Sequence, residues 1–428
     1  MGLALLFGTF AILLLLGMPI AFALGSAALV GFLYEGIPAA VAFQQMSSGI
    51  SVFTLLAIPF FIFAGEVMQR GGIAIRMVNL ASAMVGRVRG GLGIVNVLAN
   101  MLFGGISGSA VADASALGSV MIPAMRAKGY HADYAVNVTI TSSLAGIMIP
   151  PSHNMVLYSL AAGGSISIAK LFLAGFVPGA IMCLCLGVAA YVVAVRRGYP
   201  REAFPGWRPL VVTAVGALPG LITGVIIIGG ALSGVFTVTE SGAIGAIYAL
   251  LVTALGYRSL SWSDFVAVLA ASARTTAMVM MLVGAAGAFG YMMALHQVPA
   301  KVATALTEVS AQPWVILLLI NVVFLILGCI MDMAALILIC TPIFLPLVLK
   351  IGMDPVQFGM VLMMNLGLGL TTPPVGSCLF VGCAIGGVKM EQVVRTIWPF
   401  YVAILIALML TTYIPAVSMT IPRLAFGN

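Results

Sequence analysis

The sequence predicts an all-α, polytopic membrane protein made of two halves of one unit, the second inverted against the first. Three observations carry that expectation. Of 428 residues, 62% are hydrophobic and only 7% charged, where a soluble domain carries about 25% charged residues. The apolar residues fall into runs near the ~20 residues a helix needs to cross a bilayer. Two of those runs are interrupted by consecutive prolines, Pro150-Pro151 and Pro373-Pro374, which stand 223 positions apart.

The proline pairs organise the chain. Each pair removes two backbone donors, and its first member biases the preceding residue away from helix. A helix must therefore stop and restart at membrane depth, where irregular backbone is tolerated only inside protein or against a wet cavity. The same gapless offset pairs Gly105 with Gly328, Pro123 with Pro346, Gly129 with Gly352, Gly146 with Gly369, and Gly163-Gly164 with Gly386-Gly387. Matches concentrated on the residues that fix backbone shape indicate an internal duplication.

The first half, 1–195, opens with apolar runs at 3–16 and 20–34, divided by Gly17-Met18-Pro19, and a third at 51–68. The first run lacks a basic n-region and a clear cleavage site, so it reads as a span rather than a signal peptide. Residues 35–49 and 73–89 (with Arg76, Arg87 and Arg89) are less apolar and read as interfacial helices. Residues 91–128 hold two half-length apolar segments around Gly104-Gly105-Ile106-Ser107-Gly108-Ser109, which predicts a re-entrant hairpin. The proline-broken span follows at 133–163, then a full span at 171–195. A polar stretch at 196–209 connects the halves.

The second half, 210–428, repeats the order. Spans fall at 210–228, 237–255 and 275–295, with an interfacial stretch at 262–274. A hairpin at 313–350 is interrupted near Gly328 to Asp332, a broken span covers 356–387, and 393–414 closes the chain. Each half has five crossings and a hairpin that crosses nothing. Five is odd, so the halves enter the membrane in opposite senses. Thirteen basic residues, Arg70, Arg76, Arg87 and Arg89 among them, then fall on one side, against Lys170, Lys301, Lys350 and Arg423 on the other, with Arg274 unassigned. That bias makes the richer side cytoplasmic and puts both termini outside. The first hairpin is rooted in the cytoplasmic face and the second in the external face.

Composition excludes several function classes. No basic, aromatic-interleaved stretch suits nucleic acid, despite a net charge of +7. None of the five lysines is followed by Ser or Thr, so no Walker A loop is present and ATP is not the energy source. The six cysteines all lie in apolar segments without a metal or redox spacing. No redox cofactor is expected.

Of eleven acidic residues, seven (Glu35, Asp133, Glu202, Asp264, Glu308, Asp354, Glu391) lie in loops or at span ends. The other four are intramembrane and each is a site hypothesis. Glu240 completes Thr237-Val238-Thr239-Glu240, which predicts a capping box. Glu66, one turn before Arg70, predicts an interfacial ion pair. Asp113 either hydrogen-bonds the hairpin turn or meets an ion, and Asp332 has the same two roles open to it. His153 reads as a support for the site or as a substrate contact, and Arg274 as an interface anchor or a substrate clamp.

Tips and breaks are where chemistry concentrates. A hard monovalent cation such as sodium takes oxygen ligands, which unwound helix supplies as carbonyls and Ser and Thr supply as hydroxyls. An anion takes helix N-termini. The first half offers Ser107, Gly108 and Ser109 with Ser152 and Asn154. The second offers Gly328 and Asp332 with Thr371, Thr372, Gly376 and Ser377. As regions, in a placement that the family resemblance given next implies for sodium, cation binding is expected around Ser107, Gly108, Ser109, Gly328, Asp332, Thr371 and Thr372, and substrate contacts around Ser152, Asn154, Gly376 and Ser377.

The segment Phe103 to Asp113 (Phe-Gly-Gly-Ile-Ser-Gly-Ser-Ala-Val-Ala-Asp) resembles the first-hairpin motif of the large membrane subunit of tripartite ATP-independent periplasmic (TRAP) transporters, the DctM-like family. So do Met121-Ile122-Pro123, Lys128-Gly129-Tyr130, Met331-Asp332-Met333, Thr341-Pro342-Ile343 and Gly369 through Gly376. Phe236-Thr237-Val238-Thr239-Glu240 resembles a further family element, in which Pro is common in place of Val238. The resemblance implies an elevator-type, sodium-coupled importer of an organic acid in the bacterial inner membrane. It also implies a small four-helix membrane subunit and a periplasmic substrate-binding protein as partners. Hairpins and broken helices would move, and the remaining spans would be scaffold. A stand-alone sodium–carboxylate symporter of the same architecture is the alternative. An intramembrane enzyme lacks any Ser/His, paired-Asp or zinc constellation, and a channel would not show saturable, sodium-dependent uptake.

Overall fold

The computed structural model describes residues 1–86, 88–201 and 206–427. Arg87 and Glu202, which the sequence puts in an interfacial stretch and in the connector, lie outside the described residues. Helix dominates, and no strand occurs among the described residues.

Helices α1 (Gly2–Leu15) and α2 (Ile20–Tyr34) turn at Gly17, whose φ of +80° favours glycine, and at Pro19. Helix α3 (Ala39–Ile50) is parted from α4 (Ala57–Arg70) by a short 3-10 turn, Phe53–Leu56, and α5 (Ile73–Val85) follows. The first hairpin is α6 (Gly91–Ser107) and α7 (Ala110–Ala127). The first broken span is α8 (Ala132–Ser142), the single turn α9 (Ala145–Met148) and α10 (His153–Ala161), with the prolines in the gap before α10. Helix α11 (Ile168–Arg196) ends the half.

In the second half, α12 (Trp207–Ser233) and α13 (Val238–Leu251, prolonged by one π turn) precede α14 (Trp262–Leu295) and α15 (Val298–Val309). The second hairpin is α16 (Pro313–Gly328) and α17 (Met333–Lys350). The second broken span is α18 (Pro355–Gly369) and α19 (Ser377–Gly386), with Pro373-Pro374 between them. The chain closes with α20 (Met390–Thr396), α21 (Trp398–Tyr413) and α22 (Pro415–Phe426). Both helix breaks and both hairpin turns thus fall where the sequence puts them. Capping at Glu240 also holds: Glu240 accepts from the Thr237 amide at 2.8 Å while Thr237 Oγ1 accepts from the Glu240 amide at 3.2 Å.

Three expectations need correction. The interfacial stretch at 262–274 and the span at 275–295 are one 34-residue helix, α14. A Ser261–Asp264 capping box starts it, and no glycine or proline stands between 262 and 283 to end it early. Helices α15 and α22 were given no element by the sequence; α22 is set off from α21 by a 59° bend. The ion pair expected between Glu66 and Arg70 does not form among the described residues.

Among the described residues, six helices or helix runs are long and apolar enough to cross a membrane unaided: Phe53–Arg70, Ile168–Arg196, Trp207–Ser233, Val238–Gly256, Trp262–Leu295 and Met333–Lys350. The helices pack in two groups that meet extensively, α5 and α4 lying on α6 and α14 on α17. In one, α4 lies on α13 and α14, α14 on α2 and α3, and α12 on α13 and α5. In the other, α7 and α8 pack on α19, α10 on α17, and α16 on α18; α11 packs on α6, α18, α21 and α22. Buried amides tie the second group together. Asn100 donates to Ser142 Oγ at 2.8 Å, joining α6 to α8, and Asn365 donates to Asn321 Oδ1 at 2.7 Å, joining α18 to α16. Ser142 and Asn365 are themselves 223 positions apart. At the base of this group Arg197 forms a two-pronged ion pair with Asp133 (2.9 and 3.0 Å), and the Gly90 amide donates to the Pro200 carbonyl at 3.2 Å.

Candidate functional site

The first hairpin turns at Gly108, whose φ of +65° favours glycine. A Cβ there would stand 2.8 Å from the Pro151 carbonyl oxygen, so the tip rests directly on the first break. Ser109 caps α7, its hydroxyl accepting from the Ala112 amide at 3.4 Å. One turn further, Asp113 is fully buried. Its Oδ1 accepts from Ser107 Oγ. Its Oδ2 has no hydrogen-bond partner and faces the first break, where a Cβ on Gly146 would come within 2.1 Å of it. An isolated buried carboxylate costs several kcal/mol, and this one lies where a hairpin tip, open backbone and the buried, unpartnered Ser152 hydroxyl come together.

The second tip differs in backbone as well as in side chains, since residues 329–332 turn without the positive φ of Gly108. Asp332 caps α17, its Oδ2 accepting from the Ala334 amide at 3.0 Å. The Val375 amide donates to the Cys329 carbonyl at 3.1 Å, holding the second break against the tip. Gly328 and Gly369 cross so closely that a Cβ on Gly369 would be 2.4 Å from the Gly328 carbonyl carbon. In the first half Gly104 and Gly146 make the equivalent crossing, 2.5 Å from a Cβ on Gly104 to the Gly146 Cα. Thr371 and Thr372 both donate to the Leu368 carbonyl at 2.8 Å, and Tyr401 donates to the Thr371 carbonyl at 2.7 Å. Ser377 carries a buried, unpartnered hydroxyl.

Both tips border one cavity of about 800 Å³, walled on the far side by α4 and α14. Ser107, Ser109 and Asp332 line it, and so does His153. Gly108, Ser152, Asn154, Gly328, Thr371, Thr372, Gly376 and Ser377 are outside its lining. The first turns of α7 (Val111, Ala112), α10 (His153) and α17 (Ala334) border the cavity, bringing three positive helix-dipole ends to it. Across from them stand Glu66, Gln69, Arg70 and Thr275. Glu66 and Arg70 thus face shared space instead of each other.

Sequence reasoning left Asp113 open and overlooked Arg70, Gln69 and Thr275 as cavity residues. Arg70 had one local signal, a guanidinium at the end of an apolar span. The position of α14 across from the tips has no such signal.

A profile of the DctM component of the tripartite ATP-independent periplasmic transporters matches residues 7–417. The chain is 41% identical over 371 residues to the C4-dicarboxylate TRAP transporter large permease protein DctM of Pseudomonas aeruginosa, covering 87% of this chain and 86% of the relative. It is 38% identical to the sialic acid TRAP transporter large permease protein SiaM of Vibrio cholerae, covering 97% of each. Among solved structures, the Alcanivorax borkumensis YdaH transporter shares the fold, with a TM-score of 0.65 at 12% identity over 92% of this chain and 90% of that one.

Proposed function

The chain belongs to the DctM family of TRAP transporter large subunits, and from that premise we propose that it imports a small organic acid, driven by sodium, across the bacterial inner membrane. It is a multi-pass transport subunit and not an enzyme. A periplasmic binding protein delivers the substrate, and a small four-helix membrane subunit completes the complex. Both termini lie in the periplasm.

Residues 1–195 and 210–428 are inverted repeats joined by a cytoplasmic connector at 196–209. In support, Ala110–Ala127 advanced by 223 falls on 333–350, the bounds of α17. The hairpins and broken helices move as one body. The group around α4, α13 and α14 is the scaffold. With Arg70 on the cytoplasmic side, the cavity faces the cytoplasm.

The observation that carries this reading is Asp113 Oδ2, buried and unpartnered beside the tip that also borders the cavity. Asp113, Ser107, Gly108 and Ser109 hold one sodium ion; Gly328, Asp332, Thr371 and Thr372 hold another. The cavity wall carries two carboxylates, Glu66 and Asp332, against one guanidinium, Arg70. An anion entering that field is repelled until cations offset Asp113 and Asp332, which couples the two solutes. The carboxylate then meets Arg70 and the helix ends at His153 and Val111, with Ser152, Asn154, Gly376 and Ser377 supporting the breaks.

Thermal unfolding of the purified chain in sodium chloride and in choline chloride tests the reading. Sodium raises the unfolding temperature, as any ligand of the native state does. Equal curves in the two salts overturn it. Uptake of free organic acid by the chain alone in liposomes would favour the stand-alone symporter.

A further inference from the structure

A second cavity, of about 460 Å³, lies between α1, α14 and α15 on one side and the second hairpin on the other. Phe7 and Phe10 of α1, Phe289 of α14 and Phe344 of α17 line it, with Phe7 edge-on to Phe289 at 5.7 Å. Every lining side chain is apolar except Lys301 of α15. With no polar group to anchor water or an organic acid, such a space suits hydrocarbon. Lys301 is exposed at its edge, and no carboxylate lies within ion-pair distance among the described residues. Helix α15 shows exposed polar residues (Thr304, Thr307, Glu308) beside buried Val298, as a helix at the membrane interface does.

We propose that this is a binding site for an anionic phospholipid, with one acyl chain in the cavity and the phosphate on Lys301. The bilayer presents such a lipid with its phosphate at interfacial depth, where a lysine on an amphipathic helix can meet it. The site rests on the fold alone. Its consequence, a lipid wedged between scaffold and moving hairpin, rests on the two-body reading above.

Purified full-length chain is incubated in detergent with palmitoyl-oleoyl phosphatidylglycerol or the corresponding phosphatidylcholine, and retained lipid per chain is counted by native mass spectrometry. Phosphatidylglycerol is retained in preference to phosphatidylcholine. Lys301→Glu weakens phosphatidylglycerol retention at least about fivefold, the factor one basic side chain supplies near an anionic surface, and leaves phosphatidylcholine unchanged. Ala305→Trp, which fills the cavity from α15, reduces retention of both lipids. Both positions are exposed on α15, so the chain folds in either variant. Equal retention of the two lipids by the unaltered chain, or phosphatidylglycerol retention unchanged in either variant, overturns the proposal. Displacement of phosphatidylglycerol by equimolar palmitate also overturns it, by making this a fatty-acid site.

Discussion

The two hairpin tips each carry one carboxylate and treat it in opposite ways. Asp113 is sealed inside the first half, one oxygen on Ser107 and the other facing Gly146 without a partner. Asp332 sits at the start of α17, its oxygen on a backbone amide and its side chain on the cavity wall. They are not repeat partners: 223 positions separate Asp332 from Ser109, and Asp113 from Leu336. The acid therefore stands at different places on the two tips, one turn inside α7 in the first and at the cap of α17 in the second. The sealed acid depends on a counter-ion for its charge, whereas the capping acid has a structural task without one.

The largest effect comes from removing the break on which the second tip rests. Replacing Pro373 and Pro374 by Ala restores two backbone donors and mends the helix; uptake is abolished while membrane expression is kept, and normal uptake in vesicles would refute the broken-helix site. Next comes Asp113→Asn, which keeps shape and deletes charge. Sodium half-saturation of uptake rises about 100-fold, the equivalent of ~3 kcal/mol, and the variant is more stable than the unaltered chain in choline chloride. An unchanged sodium titration would make Asp113 a turn residue only.

A smaller effect separates the two glycine crossings. Gly146→Ala and Gly369→Ala each force a clash costing ~1–3 kcal/mol, read as a lower unfolding temperature. Both also shift the sodium titration, Gly146→Ala the more strongly, because its clash is with the Asp113 carboxylate whereas that of Gly369→Ala is with the neutral Gly328 carbonyl. The smallest effect belongs to Asp332→Asn. Asn caps a helix as well as Asp does, so stability holds while sodium half-saturation rises less than about tenfold, the equivalent of ~1.4 kcal/mol. A loss of stability there would mean that the charge itself carries the cap.

Much of this fold was legible because glycine and proline act locally. The consecutive pairs Pro150-Pro151 and Pro373-Pro374 interrupt helix where single prolines such as Pro123 and Pro346 do not, and Gly108 marks a turn that few other residues adopt. The capping box at Glu240 needs only four consecutive residues. What escaped is non-local. Glu66 and Arg70 have the spacing of an ion pair on one helix turn, yet α14 and the hairpin tips define a cavity that draws both outward. The unsatisfied oxygen of Asp113 depends on Gly146, thirty-three residues away, and no local pattern links them. The continuity of α14 was hidden by its polar first third, which reads as interfacial until its capping box and lack of breakers are weighed together.

The crossings at Gly104 with Gly146 and at Gly328 with Gly369 put main chain against main chain, with no room for a side chain between. Surfaces so bare cannot glide over one another, since any offset would drive a peptide group into its neighbour. Each tip and its break are therefore riveted, and in the transport cycle proposed above any ion seat they form would travel ready-made instead of being rebuilt. Amide hydrogens at these four glycines should be among the slowest in the chain to exchange with heavy water, with cargo or without it.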